Sequence, residues 1–243
     1  GGARLGEDGH IIPTSPESAV ETLVAHRAAF AKKGIADTWS QVSGLVVQPG
    51  IEFGPDEVFT MSKGANSGLR KAISEYPEIC LEAHSTDFQP PETFATLANM
   101  GFAFQKVGPA LTFALRRALY ALDHTVQKLN PSAVSLPQVI EAAMRDNPEY
   151  WKSHYSENDI SKWHSSYADR IRYYWPLPAV KEAVDNLILT FDTLKVSEHI
   201  LEETFSSDVL ERSQGLAASR GRAIVRSEIQ SALLPYFLGG HNA

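Results

Sequence analysis

The feature that most constrains the fold is one pattern repeated three times: a short apolar run, polar residues at its end, then a glycine, proline or loop, then a helical stretch. The first run is Gly44-Leu-Val-Val-Gln-Pro-Gly-Ile-Glu-Phe53, and the third is Phe102-Ala-Phe-Gln-Lys-Val-Gly-Pro109. Between them lies Ile79-Cys-Leu-Glu-Ala-His-Ser-Thr-Asp87. Strands at about 43–48, 79–84 and 102–107, separated by helical patterns, read as βαβ units in a parallel sheet. Alternation along the central strand puts Glu82 and His84 on one face, with Ser85, Thr86 and Asp87 following as a loop. Glu82 is expected to point into the covered face of the sheet, where a carboxylate needs a partner.

Residues 1–14 are glycine-rich and polar and read as a loop. Ser15-Pro16-Glu17 then starts a helix: a serine cap, proline at the first helical position and an acid in the first turn. Val20, Leu23, Val24, Ala28 and Ala31 recur at helical spacing up to Lys32, Lys33 and Gly34. Between 55 and 78 the pattern supports only a short helix at Ser-Gly-Leu-Arg-Lys-Ala-Ile, ended near Pro77. Helices follow at about 90–99 and 109–128, the second with Leu111, Leu115, Ala118 and Leu122 on one face. Beyond residue 130 no strand pattern is visible. Pro131, Pro137 and Pro148 punctuate short helices, an aromatic stretch runs from Tyr150 to Trp175, and longer helices are expected at 178–194, 197–212 and 219–237. The division expected is 1–130 for the βα units and 131–243 for a helical extension. A complete eight-stranded barrel takes about 250 residues. The pattern therefore fits either a small open sheet or the later part of a larger barrel.

A net charge of −7 argues against nucleic acid as a partner, since phosphate backbones demand basic surface. The single Cys80 sits in an apolar run and reads as a buried thiol in a reducing compartment. No run approaches the roughly 18 apolar residues of a membrane span. With no signal peptide and no initiator methionine, the expectation is a soluble cytoplasmic protein whose first residue need not be the natural start. The chain has no G-x-x-x-x-G-K-[ST] loop, G-x-G-x-x-G fingerprint, G-x-S-x-G elbow or Cys/His zinc framework, so no nucleotide cofactor is expected.

Chemistry is expected at the strand ends. His84 suits a metal ligand or general base, with Glu82 behind it and Asp87 ahead; the plainer reading is a histidine hydrogen-bonded in a polar rim. Lys106 could hold a phosphate, neutralise an enolate or form a Schiff base, or simply snorkel at the rim. Gly108, opening a helix after the third strand, offers amides to an anion. Gln48 and Glu52 flank the Pro49-Gly50 turn at the same rim, and Ser85 and Thr86 add hydroxyls for a substrate. Arg170 and Arg172, amid aromatics, could clamp a phosphate, though such arginines more often pair with acids and stack on rings.

Five segments resemble a known family: Val-Val-Gln-Pro-Gly-Ile-Glu-Phe (46–53), Glu-Ala-His-Ser-Thr-Asp-Phe-Gln (82–89), Lys-Val-Gly-Pro-Ala-Leu-Thr-Phe-Ala-Leu-Arg (106–116), Asn-Pro-Glu-Tyr-Trp-Lys (147–152) and Asp-Arg-Ile-Arg-Tyr-Tyr-Trp-Pro (169–176). They are similar to the non-catalytic subunit of class II D-tagatose-1,6-bisphosphate aldolase, whose members also carry the name tagatose-6-phosphate kinase. Phe88, where tyrosine is expected, departs from the pattern. The resemblance implies an α/β fold, the later part of a (β/α)8 TIM-type barrel followed by a helical C-terminal extension, without the earlier strands and their histidines and acids. It implies tagatose metabolism, as an accessory subunit to an aldolase chain or, as in some members, as a tagatose-6-phosphate 4-epimerase. Carbon 4 of a ketose is not acidic, so epimerisation needs oxidation or cleavage of the C3–C4 bond; without a nicotinamide fingerprint, a retro-aldol route is simpler. A divalent metal (Zn or Mg), a sugar-phosphate substrate, an aldolase catalytic subunit and a homo-oligomer are the implied cofactor and partners. The kinase name has least support, because no nucleotide site is visible.

Overall fold

The computed structural model describes residues 4–7, 9–62, 68–156 and 159–238. It divides into two compact units, with the boundary between Gly108 and Pro109 and the C-terminal residues from Leu234 grouped with the first unit. The expected boundary near 130 thus differs: the helix after the third strand groups with the helical part.

In the first unit, α1 (Pro16–Lys32) begins as its sequence dictates, with the Ser15 hydroxyl accepting from the Ser18 amide at 3.2 Å. Its end is marked by Gly34 at φ 72°. The strands are β1 (Gly44–Val47), β2 (Glu52–Phe53), β3 (Val58–Phe59), β4 (Cys80–Ala83) and β5 (Phe102–Gln105), with α2 (Leu69–Ala72) before β4 and α3 (Pro91–Asn99) after it. A parallel sheet has the order β1-β4-β5, so strands successive along the chain lie side by side. Leu45 pairs with Leu81, Val47 with Ala83 and Glu82 with Phe104, with an irregularity between Leu81 and Glu82. The antiparallel pair β2-β3 was not expected, nor is the helix at 68–73 more than the single turn of α2; Ser67 lies outside the described residues.

The helices α1, α2 and α3 all cover one face of the sheet. Leu45, Val47, Leu81, Ala83 and Phe102 pack there against Ala19, Leu23, Leu69, Ile73 and Leu97. Alternation on β1, and on β5 the extra residue between Phe102 and Phe104, leave the other face open: Val46 is 51% exposed and Phe104 49%. Glu82 stands on this open face, half-buried, and not on the covered one. The register explains the correction, because the helices claim the parity of Leu81 and Ala83.

The second unit is helical, and none of its described residues forms a strand. Its helices are α4 (Pro109–Leu129), α5 (Leu136–Asp146), α6 (Ile160–Ser165), α7 (Pro178–Leu194), α8 (Glu198–Thr204) and α9 (Ser207–Gln214), with most of α10 (Arg220–Leu238). The core is built from Leu119, Leu122 and Val126 of α4, Ile140 and Met144 of α5 and Leu187 and Phe191 of α7, with Trp151 and Trp163 packed at 4.4 Å between ring centroids. The helix expected over 197–212 breaks because Phe205 adopts extended backbone (φ −122°, ψ 149°) to bury its ring. Ser206 then precedes α9.

His164 links three of these helices. The carboxylate of Glu141 can only accept, so His164 Nε2 carries the proton toward it at 3.1 Å. In the neutral ring Nδ1 is then the acceptor, and it receives the Tyr120 hydroxyl at 2.5 Å. Burial pushes the His164 pKa down, against the pull of Glu141, and Arg116 and Arg145 push the same way as burial. A depressed histidine means that the unfolded chain binds the proton more readily, so this stabilisation is complete above about pH 6.5 and is lost as pH falls through the folded value. Denaturant unfolding at pH 7.5 and 5.5 should show a loss of stability at the lower pH that is smaller in a His164→Gln variant.

Candidate functional site

At the C-terminal ends of β1 and β4, the first unit opens a cleft of about 670 Å³, within the usual size of a small-molecule site. Val46, Gln48, Glu52, His84 and Ser85 line it together with Arg4, Thr14, Ser15 and Ser18. Strand C-termini are where parallel α/β folds place ligands. His84 Nε2 lies 2.7 Å from Glu82 Oε1. Since the carboxylate accepts, Nε2 donates, and the carboxylate fixes the ring while Nδ1 keeps its lone pair for a proton or a ligand. Both side chains are partly exposed, 39% for His84 and 30% for Glu82.

The loop after β4 is held from behind. Ser85 (φ 56°) and Phe88 (φ 63°) both take left-handed backbone, which is uncommon for residues other than glycine and clusters at functional sites. This pair of turns sends Thr86 and Asp87 inward, where they are buried, and leaves His84 and Ser85 at the cleft. The Thr86 hydroxyl donates to the Lys106 carbonyl at 2.7 Å, and Asp87 Oδ1 accepts from the Gly108 amide at 2.8 Å. Gln89 donates to the Phe59 carbonyl at 3.2 Å. On the other side, Gln48 Oε1 accepts from the Gly50 and Ile51 amides at 2.8 and 3.0 Å, closing a turn whose Gly50 sits at φ 97°.

Residues 1–241 match the family model of D-tagatose-1,6-bisphosphate aldolase subunit GatZ/KbaZ-like proteins. The chain belongs to this family. The crystal structure of a probable tagatose 6 phosphate kinase from Sinorhizobium meliloti 1021 is similar to it, with a TM-score of 0.84 and 37% identity. The match covers 94% of the GatZ/KbaZ-like chain and 60% of the solved one, so the chain spans about 60% of that protein's length. The α/β fold and the family inferred from the five motifs are thereby shown. No helix among the described residues is long and apolar enough to cross a membrane.

In this GatZ/KbaZ-like chain the residues flagged from sequence separate into groups. Gln48, Glu52, His84 and Ser85 meet at the cleft, with Glu82 bonded to His84. Glu52 Oε1 also accepts from the Phe53 amide at 3.1 Å. Thr86 and Asp87 brace the loop, and the Gly108 amide that sequence offered to an anion is taken by Asp87. Lys106 is exposed just past β5. Arg170 and Arg172 belong to the second unit. Their guanidinium carbons lie 4.7 and 4.9 Å from the Tyr173 ring centroid, and Arg172 donates to the Tyr173 hydroxyl at 2.9 Å, which holds that phenol's pKa down. Arg4, Thr14 and Ser18 were missed. Only Ser18, in the first turn of the helix that Ser15-Pro16-Glu17 starts, lay near any signal, since nothing local marks Arg4 or Thr14. Among the described residues no three His, Cys, Asp or Glu side chains stand together as a metal site. His84 alone is therefore an incomplete donor set for zinc or magnesium.

Proposed function

We propose that this chain acts in tagatose-phosphate metabolism as an accessory subunit of class II D-tagatose-1,6-bisphosphate aldolase in the cytoplasm, and that its cleft binds a ketohexose phosphate. The observation that carries the binding is the Glu82–His84 pair opening on a polar cleft, in a family described as an aldolase subunit. Gln48, Glu52 and Ser85 suit sugar hydroxyls, and Arg4 supplies a cation for the phosphate.

The sheet is read as consecutive strands of a (β/α)8 barrel. Successive parallel strands are neighbours, their helices lie on one face, and the face bearing Val46, Glu82 and Phe104 is open. Parallel sheets are normally covered on both faces, and in a barrel the face opposite the helices is the interior. On this reading the earlier strands, in a parent of the length of the S. meliloti protein, cover it and supply the donors that a divalent ion at His84 would need.

A second reading, tagatose-6-phosphate 4-epimerase, is favoured by the same pair, because a purely supporting subunit has no need of an acid–base group. His84 Nδ1 would take the proton of the C4 hydroxyl as the C3–C4 bond breaks. Its electrons would pass into an enediolate and C4 would leave as an aldehyde, to be re-attacked on its other side. Glu82 would steady the imidazolium. A kinase reading meets no phosphate-binding glycine loop in this sequence.

The test uses the full-length protein free of any aldolase chain. Binding of tagatose 6-phosphate without turnover, with higher activity or longer lifetime when an aldolase chain is added, is the expected result. Release of fructose 6-phosphate by the protein alone would establish the epimerase instead, and bisphosphate formed with ATP the kinase. Absence of binding and of any effect on the aldolase would overturn the proposal.

A further inference from the structure

The end of α10 reads Leu233-Leu-Pro-Tyr-Phe237, and no periodicity marks its tyrosine as functional. In the first unit, however, the Tyr236 hydroxyl lies 2.9 Å from Thr86 Oγ1, 150 residues away in sequence. Its ring packs on Phe94 with centroids 4.3 Å apart. The direction of the bond follows from counting hydrogens. Thr86 has one hydroxyl hydrogen, and it goes to the Lys106 carbonyl. Tyr236 must therefore donate. Burial pushes its pKa up to about 12, with Asp87 adding to the rise, so the phenol keeps that proton.

We propose that Tyr236 is a positioning residue for the cleft: by donating to Thr86 it holds the left-handed turns at Ser85 and Phe88 and so aims His84 and Ser85. Thr86 is fully buried between those two residues, and the loop on either side of it is backbone that prefers other conformations. The Lys106 carbonyl and Tyr236 grip Thr86 from two directions. With one grip removed, the turns relax toward ordinary backbone and carry His84 away from its place. This rests on the reading of the cleft as a ketohexose-phosphate site.

The experiment compares wild type, Tyr236→Phe, Thr86→Val, Thr86→Ser and His84→Ala in the full-length protein, by hydrogen exchange of amides 84–89 and by affinity for tagatose 6-phosphate. Tyr236→Phe keeps the ring on Phe94. It should speed exchange in that segment about tenfold, with little change elsewhere in the unit, and weaken binding on the order of tenfold. Thr86→Val, which loses both bonds, should do so at least as strongly, and Thr86→Ser, which retains both, should behave as wild type. Unchanged exchange at 84–89 in Tyr236→Phe, or a rise spread evenly over the unit, would overturn the proposal; should that variant not fold, Tyr236→Leu, which also removes the hydroxyl's bond to Thr86 and keeps an apolar contact on Phe94, decides the same question. Wild-type affinity in His84→Ala would instead overturn the cleft reading, while the exchange result still decides the positioning role.

Discussion

Replacing Asp169 with alanine is expected to destabilise the helical unit by about 3–5 kcal/mol, more than any surface substitution in this chain. Arg116 and Asp169 are 1% and 0% exposed and lie 2.6 Å apart. The guanidinium also donates to the Ser166 carbonyl at 3.1 Å and lies 4.7 Å from the centroid of the Phe113 ring. Burial pushes the Asp169 carboxyl up while Arg116 pulls it down. Removing the acid strands a cation that water cannot reach, and that desolvation is the source of the loss. The pair as a whole is worth much less, because its two ions were themselves costly to bury. Arg116→Met combined with Asp169→Leu should therefore recover most of the loss, a result that denaturant midpoints at constant slope would show. By contrast, Asp185→Ala removes an acid paired with Arg222 at the surface and should cost about 0–1 kcal/mol. Equal effects of Asp169→Ala and Asp185→Ala would contradict this account.

Asp169 also shows what the sequence leaves unsaid. It adjoins the arginines flagged as a phosphate clamp, yet the buried ion pair is made by Asp169 with Arg116, 53 residues earlier. Short-range rules carry the elements well. The three strands fall within the expected ranges, and the Ser15 cap sets the start of α1, because alternation and capping are local. Period two likewise put Glu82 and His84 together. It could not say which face the helices would cover, and that decided whether Glu82 was buried or open. Nor could it foresee that left-handed turns at Ser85 and Phe88 would hide Thr86 and Asp87. The occupation of the Gly108 amide, the break at Phe205 and the reach of Tyr236 to Thr86 are all long-range packing outcomes, invisible to a local pattern.

The second large effect is expected at the cleft. His84→Ala should reduce turnover of the sugar phosphate, or the gain conferred on an aldolase chain, by about 10²-fold or more, the usual loss when a positioned acid–base group is removed. It should do so at little cost in stability, because the pair is partly exposed and such pairs contribute about 0–1 kcal/mol. Glu82→Gln should lose less, on the order of tenfold. Its amide oxygen can still accept from Nε2 and hold the ring, but it no longer balances the charge that His84 acquires on taking a proton. If the two work as one unit, the double variant His84→Ala/Glu82→Gln will be no worse than His84→Ala, since an orienting carboxylate has nothing left to orient. Independent roles in substrate binding would instead give losses that multiply. The double-mutant cycle, run with melting curves on each variant, thus separates an acid–base pair from two neighbours that happen to share a hydrogen bond. A cycle in which His84→Ala is silent would leave the cleft without a reactive group.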